Sequence, residues 1–168
     1  LAALPAAVFT AHVSKHEPIP FMPPLADWVI EQMPGGNVRT ENGALVIKDA
    51  GGCTVWYRPI LGTPVEISYE AKVVMQGGPC DRLSDLNCFW MAADPSGDLL
   101  HPTKPRTGLF ADYDGLATYY VGYGGNQNTT TRFRRYLGTG ERPLLPGHDL
   151  RNAAHLLEPN RFYQIRLV

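Results

Sequence analysis

No segment of this 168-residue chain carries a sustained 3.6-residue apolar period, so a helical bundle is excluded as its architecture. No apolar run is long enough to cross a bilayer as a helix; Leu1 to Ala11 falls well short of the ~20 residues required. Charge is sparse and balanced, with a formal net charge of -1, which removes duplex nucleic acid as a partner and makes any basic cluster a local feature. Cysteine is scarce as well. The three, Cys53, Cys80 and Cys88, have neither CxxC spacing nor a matching histidine pair, so a structural zinc site is excluded. Cys88 lies in an apolar strand and reads as a core residue, whereas Cys53 and Cys80 sit among glycines where a disulfide is open to them. No internal repeat is visible.

What the chain has in quantity is turn chemistry, 17 glycines and 15 prolines, between short runs rich in Val, Ile, Thr, Tyr and Phe. That pattern predicts one all-β domain of antiparallel strands, a β-sandwich. Residues 1–24 read as an apolar and proline-rich leading segment, resembling the tail of a secretory signal followed by an extended linker, and 25–168 as the sandwich. Export to the extracellular space or periplasm and a cytoplasmic location both remain open. A leading residue that is not Met, and a final strand, Arg161 to Val168, that stops at its strongest point, suggest clipped ends and a sandwich incomplete at its C-terminus.

Strands are expected at Val38 to Thr40 and Ala44 to Lys48, joined by Asn42-Gly43, the strongest short hairpin signal. Others are expected at Cys53 to Tyr57, Val65 to Met75 and Asp85 to Ala93. His148 to Glu158 reads as a short helical turn. Along Val65 to Met75 the polar face carries Glu66, Ser68 and Glu70, a spacing that suits the two carboxylates of a retaining glycosidase and equally an ordinary solvated strand face. Asp112 to Gly115 contains D-x-D-G without the rest of a calcium loop, so no cofactor is expected beyond a structural calcium there. Asn128-Thr129-Thr130 is a glycosylation sequon.

Leu116 to Tyr136, LATYYVGYGGNQNTTTRFRRY, is the stretch around which the rest is organised. Two strand-like arms flank a turn at Gly124-Gly125-Asn126. Alternation places Thr118, Tyr120 and Gly122 on one face of the first arm, and Thr130, Arg132, Arg134 and Tyr136 on one face of the second. Tyr120, Arg132 and Arg134 should therefore share a face, with Val121 and Phe133 behind them. Two guanidiniums beside a phenol can clamp a carboxylate, or form an ordinary solvated strand face.

The blocks SDLNCFWMAADP, DLLHP, PRTGLFADYDGL and YYVGYGGNQNTTTRFRRY together resemble the YesU-like group of uncharacterised concanavalin-type β-sandwiches. The resemblance runs from about Trp28 onward and is most specific between Ser84 and Tyr136. It implies a jelly roll and, since genes of that group accompany pectin and rhamnogalacturonan breakdown, a carbohydrate-active protein whose partner is an acidic carbohydrate. Arg106, Tyr113, Tyr120 and Arg134 lie within the matching stretches. One reading is a polysaccharide lyase acting on a uronate. Arg132 and Arg134 would neutralise the carboxylate, Tyr120 or His101 would move protons, and Asn87, Trp90, Arg106, Tyr113 and Asn126 would bind substrate. Alternatives are a non-catalytic binding module with Trp90 and Tyr120 stacked on sugars, a glycoside hydrolase using Glu66 and Glu70, and a structural sandwich. No metal and no membrane enters any of them.

Overall fold

The computed structural model describes residues 6–13, 24–62 and 64–168. The chain is an all-β sandwich of antiparallel sheets, as its composition implies. Its strands are β1 (Ala6–Val13), β2 (Trp28–Gln32), β3 (Asn37–Glu41), β4 (Ala44–Lys48), β5 (Cys53–Tyr57), β6 (Val65–Lys72), β7 (Leu86–Ala93), β8 (Ala117–Gly124), β9 (Thr130–Leu137), β10 (Leu144–Leu150) and β11 (Tyr163–Leu167). One sheet has the order β11-β6-β1-β4-β3, a second β10-β9-β8-β7, and β2 pairs with β5 as a separate ribbon.

Local sequence explains most of these elements. Asn42 and Gly43 take φ of 50° and 72°, the left-handed pair that a two-residue hairpin between β3 and β4 needs. Alternation along β6 buries Tyr69 and Ala71 and turns Glu66, Ser68 and Glu70 outward. Tyr69, Ala71 and Val73 then pack against Leu86 and Leu157, with Tyr123 at the edge of the cluster, and this joins the two large sheets. Cys53 joins Trp28, Val38, Leu45 and Ile47 in a second cluster. On the opposite face of β5, Trp56 packs with Tyr113 and Leu116 against Phe89.

Several expectations change on inspection. The segment expected as a helical turn, His148 to Glu158, instead finishes β10, and only Ala153–His155 forms one turn of 3-10 helix. Cys53 and Cys80 are both free, Cys53 being shut into the core, where burial pushes its thiol up to about 12, helped by Asp49 and Glu31. Glu66 is clamped by Arg166, which donates from Nε and Nη2 at 2.8 Å each, and Glu70 accepts from Gln164 at 3.1 Å. Both carboxylates lie on the outward face of β6 and engage β11 there. The Asp112 and Asp114 carboxylates go to separate partners, Thr107 and Arg142. Among the described residues no three His, Cys, Asp or Glu converge as metal ligands. Of the leading segment, Ala6–Val13 is a strand paired with β6 and β4; the signal-like and linker readings otherwise fall outside the described residues.

Candidate active site on the β7-β8-β9 face

The hairpin is built as its alternation requires. Tyr120 pairs with Arg134, Gly122 with Arg132, and Val121 with Phe133, so Tyr120, Arg132 and Arg134 share one face with Val121 and Phe133 on the other. Behind the sheet Val121 is buried, while Phe133 is half-buried against His148 with ring centroids 5.2 Å apart. Across three strands two rungs can be read, Asn87–Gly122–Arg132 and Phe89–Tyr120–Arg134. The turn is longer than the glycines suggest. Gly124, Asn126, Gln127 and Asn128 all have positive φ. Asn126 steadies it by donating to Thr129 Oγ1 at 3.0 Å and accepting from the same hydroxyl at 2.7 Å through its carbonyl. Asn128 Nδ2 donates to the Leu157 carbonyl at 2.9 Å, so the nitrogen a glycan would need is already engaged.

A groove of about 1200 Å³ opens over these rungs, lined among others by Arg82, Asn87, Phe110, Tyr120, Arg134 and Arg142. Phe110 forms its lip. It is 42% exposed, its ring lies 5.6 Å from that of Tyr120, and the Arg142 guanidinium stands 5.6 Å from its centroid. Phe110 opens the one-turn 3-10 helix Phe110–Tyr113 and is exposed, while Tyr113 closes it and is buried.

Charge in the groove is almost fully compensated. Arg132 donates from Nε to Asp149 at 2.8 Å, Arg142 to Asp114 at 2.7 Å, and Arg82 pairs with Asp85. Among the described residues two groove guanidiniums lack a carboxylate: Arg58, exposed, which gives its Nε to the Ala26 carbonyl at 3.1 Å, and, on the sheet face itself, Arg134. Its Nη1 donates to the Arg142 carbonyl at 2.7 Å, and among the described residues no carboxylate reaches it. A guanidinium held in place by one neutral bond keeps its remaining donors for an anion.

Tyr120 sits beside it, buried among Phe89, Phe110 and Tyr136. Its ring lies over Gly122, where an added Cβ would fall 2.6 Å from the phenol oxygen; glycine is what makes room. Burial pushes the phenol well above its usual pKa, Tyr136 and Asp85 push the same way, and Arg134 and Arg142 pull back. Tyr136 is raised by burial too, with Arg142 opposing. Tyr120 is therefore a protonated donor at neutral pH rather than a ready base.

Of the other expected site residues, Asn87, Trp90, Tyr113 and Asn126 also line the groove, whereas Arg106 and His101 do not. Arg106 is buried: its Nε donates to Glu31 at 3.0 Å, its Nη1 to Asp94 at 3.1 Å, and its Nη2 to the Leu99 carbonyl, while Trp56 Nε1 donates to the same Glu31 at 2.8 Å. This network ties the long 94–110 loop to β2 and β5, and Arg106 does not line the groove. Tyr113 is 1% exposed and is a wall of the core against Trp56 and Phe89. His101 is exposed, its Nδ1 3.1 Å from Asp98, and it does not line the groove. Trp90 pairs with Tyr119, on the opposite sheet face from Tyr120, and stacks on that ring at 5.7 Å. Asn126 lies at the groove's end, its amide nitrogen spent on Thr129. Asn87 is in the groove with Oδ1 buried and unpartnered.

Sequence reasoning missed Phe110 and Arg142. Arg142 belongs to a Pro/Gly loop and Phe110 to an irregular one, so no periodicity marks either.

The family model for Domain of unknown function (DUF6250) matches residues 47–168, which include every groove residue named above. The chain belongs to this family. No curated protein and no solved structure matches it. The family match spans strands β5 to β11 in full, together with the 94–110 loop and the Phe110–Tyr113 turn, so floor and lip of the groove belong to one family unit.

Proposed function

We propose that this protein is a concanavalin-like, carbohydrate-active domain that binds an acidic carbohydrate in the β7-β8-β9 groove, with a uronate carboxylate on Arg134 and a sugar face against Phe110. The observation that carries the reading is the uncompensated Arg134 guanidinium beside the buried Tyr120 phenol. Three features support it. Bidentate capture of a planar carboxylate is what a free guanidinium edge offers. Phe110 supplies an exposed aromatic face at the lip. The resemblance of the Ser84–Tyr136 block to the YesU-like group points to acidic plant polysaccharides, and such a ligand lies outside the cell or in the periplasm.

β-Elimination is favoured as the accompanying chemistry by one observation: Tyr120 lines the groove with its Oη over Gly122 and makes no hydrogen bond among the described residues. Arg134 would stabilise charge developing on the carboxylate as the C5–H bond breaks. The phenolate form of Tyr120 would take that proton and return it to the leaving glycosidic oxygen as the C4–O bond breaks and the C4–C5 double bond forms. Burial keeps the phenolate scarce, so turnover by this route rises with pH through the alkaline range.

The test is titration of the full chain with galacturonate oligomers and with their carboxyl-reduced counterparts, following heat and the absorbance of an unsaturated uronate. Acidic oligomers bind and reduced ones do not, and Arg134→Ala weakens binding roughly 10-fold or more, the ~1.4 kcal/mol or greater expected of a charged hydrogen-bonded contact. Equal binding of acidic and reduced oligomers would refute the carboxylate seat. Binding without the chromophore leaves a recognition domain; new reducing ends without it would indicate hydrolysis.

A further inference from the structure

The other end of the groove carries a different chemistry. Asn87 stands one rung away from the Tyr120–Arg134 rung, on β7, and Arg82 lies just before that strand. Asn87 Oδ1 is buried and accepts from nothing; Arg82 Nε is buried and donates to nothing, although its terminal nitrogen holds Asp85. Both residues line the groove. A buried acceptor and a buried donor left without partners are costly, and native proteins rarely retain them without a use.

Oδ1 calls for a donor and Nε for an acceptor. A carboxylate only accepts, so it is repelled by Oδ1. An ammonium only donates, so it gains nothing from Nε. A hydroxyl does both. Asn87 is separated from Arg134 by two strand spacings across the sheet and by two residues along it, a diagonal of roughly 12 Å. That exceeds the width of one pyranose ring.

Building on the reading of Arg134 as a carboxylate seat, we infer that the Asn87 and Arg82 end is a second subsite that reads a hydroxyl of the neighbouring sugar. The ligand is then an oligosaccharide in which a uronate is followed by a residue presenting a free hydroxyl toward β7, and Asn87 determines specificity for chain length without meeting the carboxylate. Between the two subsites the floor is the Tyr120 ring, which lies over Gly122.

Galacturonic acid and a galacturonate trimer, titrated into the full chain, separate the two ends. Asn87→Ala weakens the trimer about 10-fold and leaves the monomer within about 2-fold, since the monomer engages only Arg134. Its thermal midpoint does not fall, because the amide it removes has no protein partner at Oδ1. Asn87→Leu, which keeps the branched shape without the acceptor, behaves the same way. Equal losses for monomer and trimer, an unchanged trimer affinity, or a lowered midpoint with binding that simply follows the folded fraction would each overturn the inference. Monomer binding that survives Arg134→Ala would overturn the carboxylate seat instead, and with it the reading on which this subsite rests.

Discussion

Arg106→Ala should act as a stability mutation and leave ligand recognition alone. The guanidinium is 4% exposed and Glu31 6%, so neither is screened by solvent. Truncation removes the donors at 3.0 Å to Glu31 and 3.1 Å to Asp94 and the bond to the Leu99 carbonyl, and leaves two buried carboxylates facing a void. Breaking a buried pair by deleting one partner costs about 3–5 kcal/mol, and the stack of Arg106 on Trp56 and Tyr113, near 6 Å from each ring, adds to the loss. Against a typical domain stability of about 5–15 kcal/mol that is a large fraction. Urea unfolding followed by tryptophan fluorescence measures it, because Trp56 donates into the same network. Arg106→Lys should recover only part, since an ammonium cannot span Glu31, Asp94 and a carbonyl in one plane. A loss under about 1 kcal/mol, the size of a surface pair, would refute the claim that this network holds the loop. So would normal stability with abolished oligosaccharide binding, which would return Arg106 to the binding site.

Asn128→Ala should cost about 2–3 kcal/mol, from losing the two bonds to Leu157 at 2.9 and 2.8 Å and from placing alanine at φ 58°; Asn128→Gly, which relieves only the backbone, should recover about 1 kcal/mol of it in the same urea assay. Acid should loosen the 94–112 segment before the sheets. The Asp112 carboxyl is lowered mainly by the Thr107 amide, Asp98 mainly by the Leu100 amide, and Asp94 mainly by Ser96 with help from Arg106. Groups lowered in the folded state contribute stability fully above their unfolded value of 3.8 and lose it as pH falls through the folded value. Amide exchange at Thr107, Leu100 and Ser96 should therefore rise relative to β8 and β9 as pH drops below that point, and uniform exchange across segment and sheet would contradict it.

Where a residue's role follows from strand alternation, it was legible in the sequence. Arg132 and Arg134 fall on one face by period two, the hairpin register sets Tyr120 beside them, and Asn42-Gly43 makes its hairpin because few other pairs tolerate that φ. What alternation does not supply is the neighbour from a distant segment. Arg106 reads as a free loop cation until Glu31, 75 positions earlier, is found against it. Arg132 and Arg134 look equivalent in RFRR, and only Asp149, arriving on β10, separates a compensated guanidinium from an open one. Trp90 is an apolar strand residue whose face depends on its register with β8, and that register pairs it with Tyr119. Glu66 and Glu70 have the spacing of a catalytic pair, but β11 lays Arg166 and Gln164 beside them.

The same distinction divides the groove mechanically. Its floor is three hydrogen-bonded strands, on which Asn87, Tyr120 and Arg134 are held at lattice positions of the sheet. Its lip, Phe110, stands on a loop whose backbone would not keep that position unaided. Two features pin the loop. At one end the Arg106 network ties it to Glu31; close by, Gly108 packs so tightly on β2 and β5 that an added Cβ would lie 2.6 Å from the Gly52 carbonyl and 2.8 Å from that of Glu31. Burying an arginine between two carboxylates is an expensive way to fasten a loop when an apolar contact of equal volume would serve as well or better. What the ion network adds is a fixed direction, because a planar guanidinium meets three acceptors in only one orientation. A site that must set an aromatic face at a defined height over Tyr120 and Arg134 gains from that constraint, whereas a structural sandwich with no ligand does not.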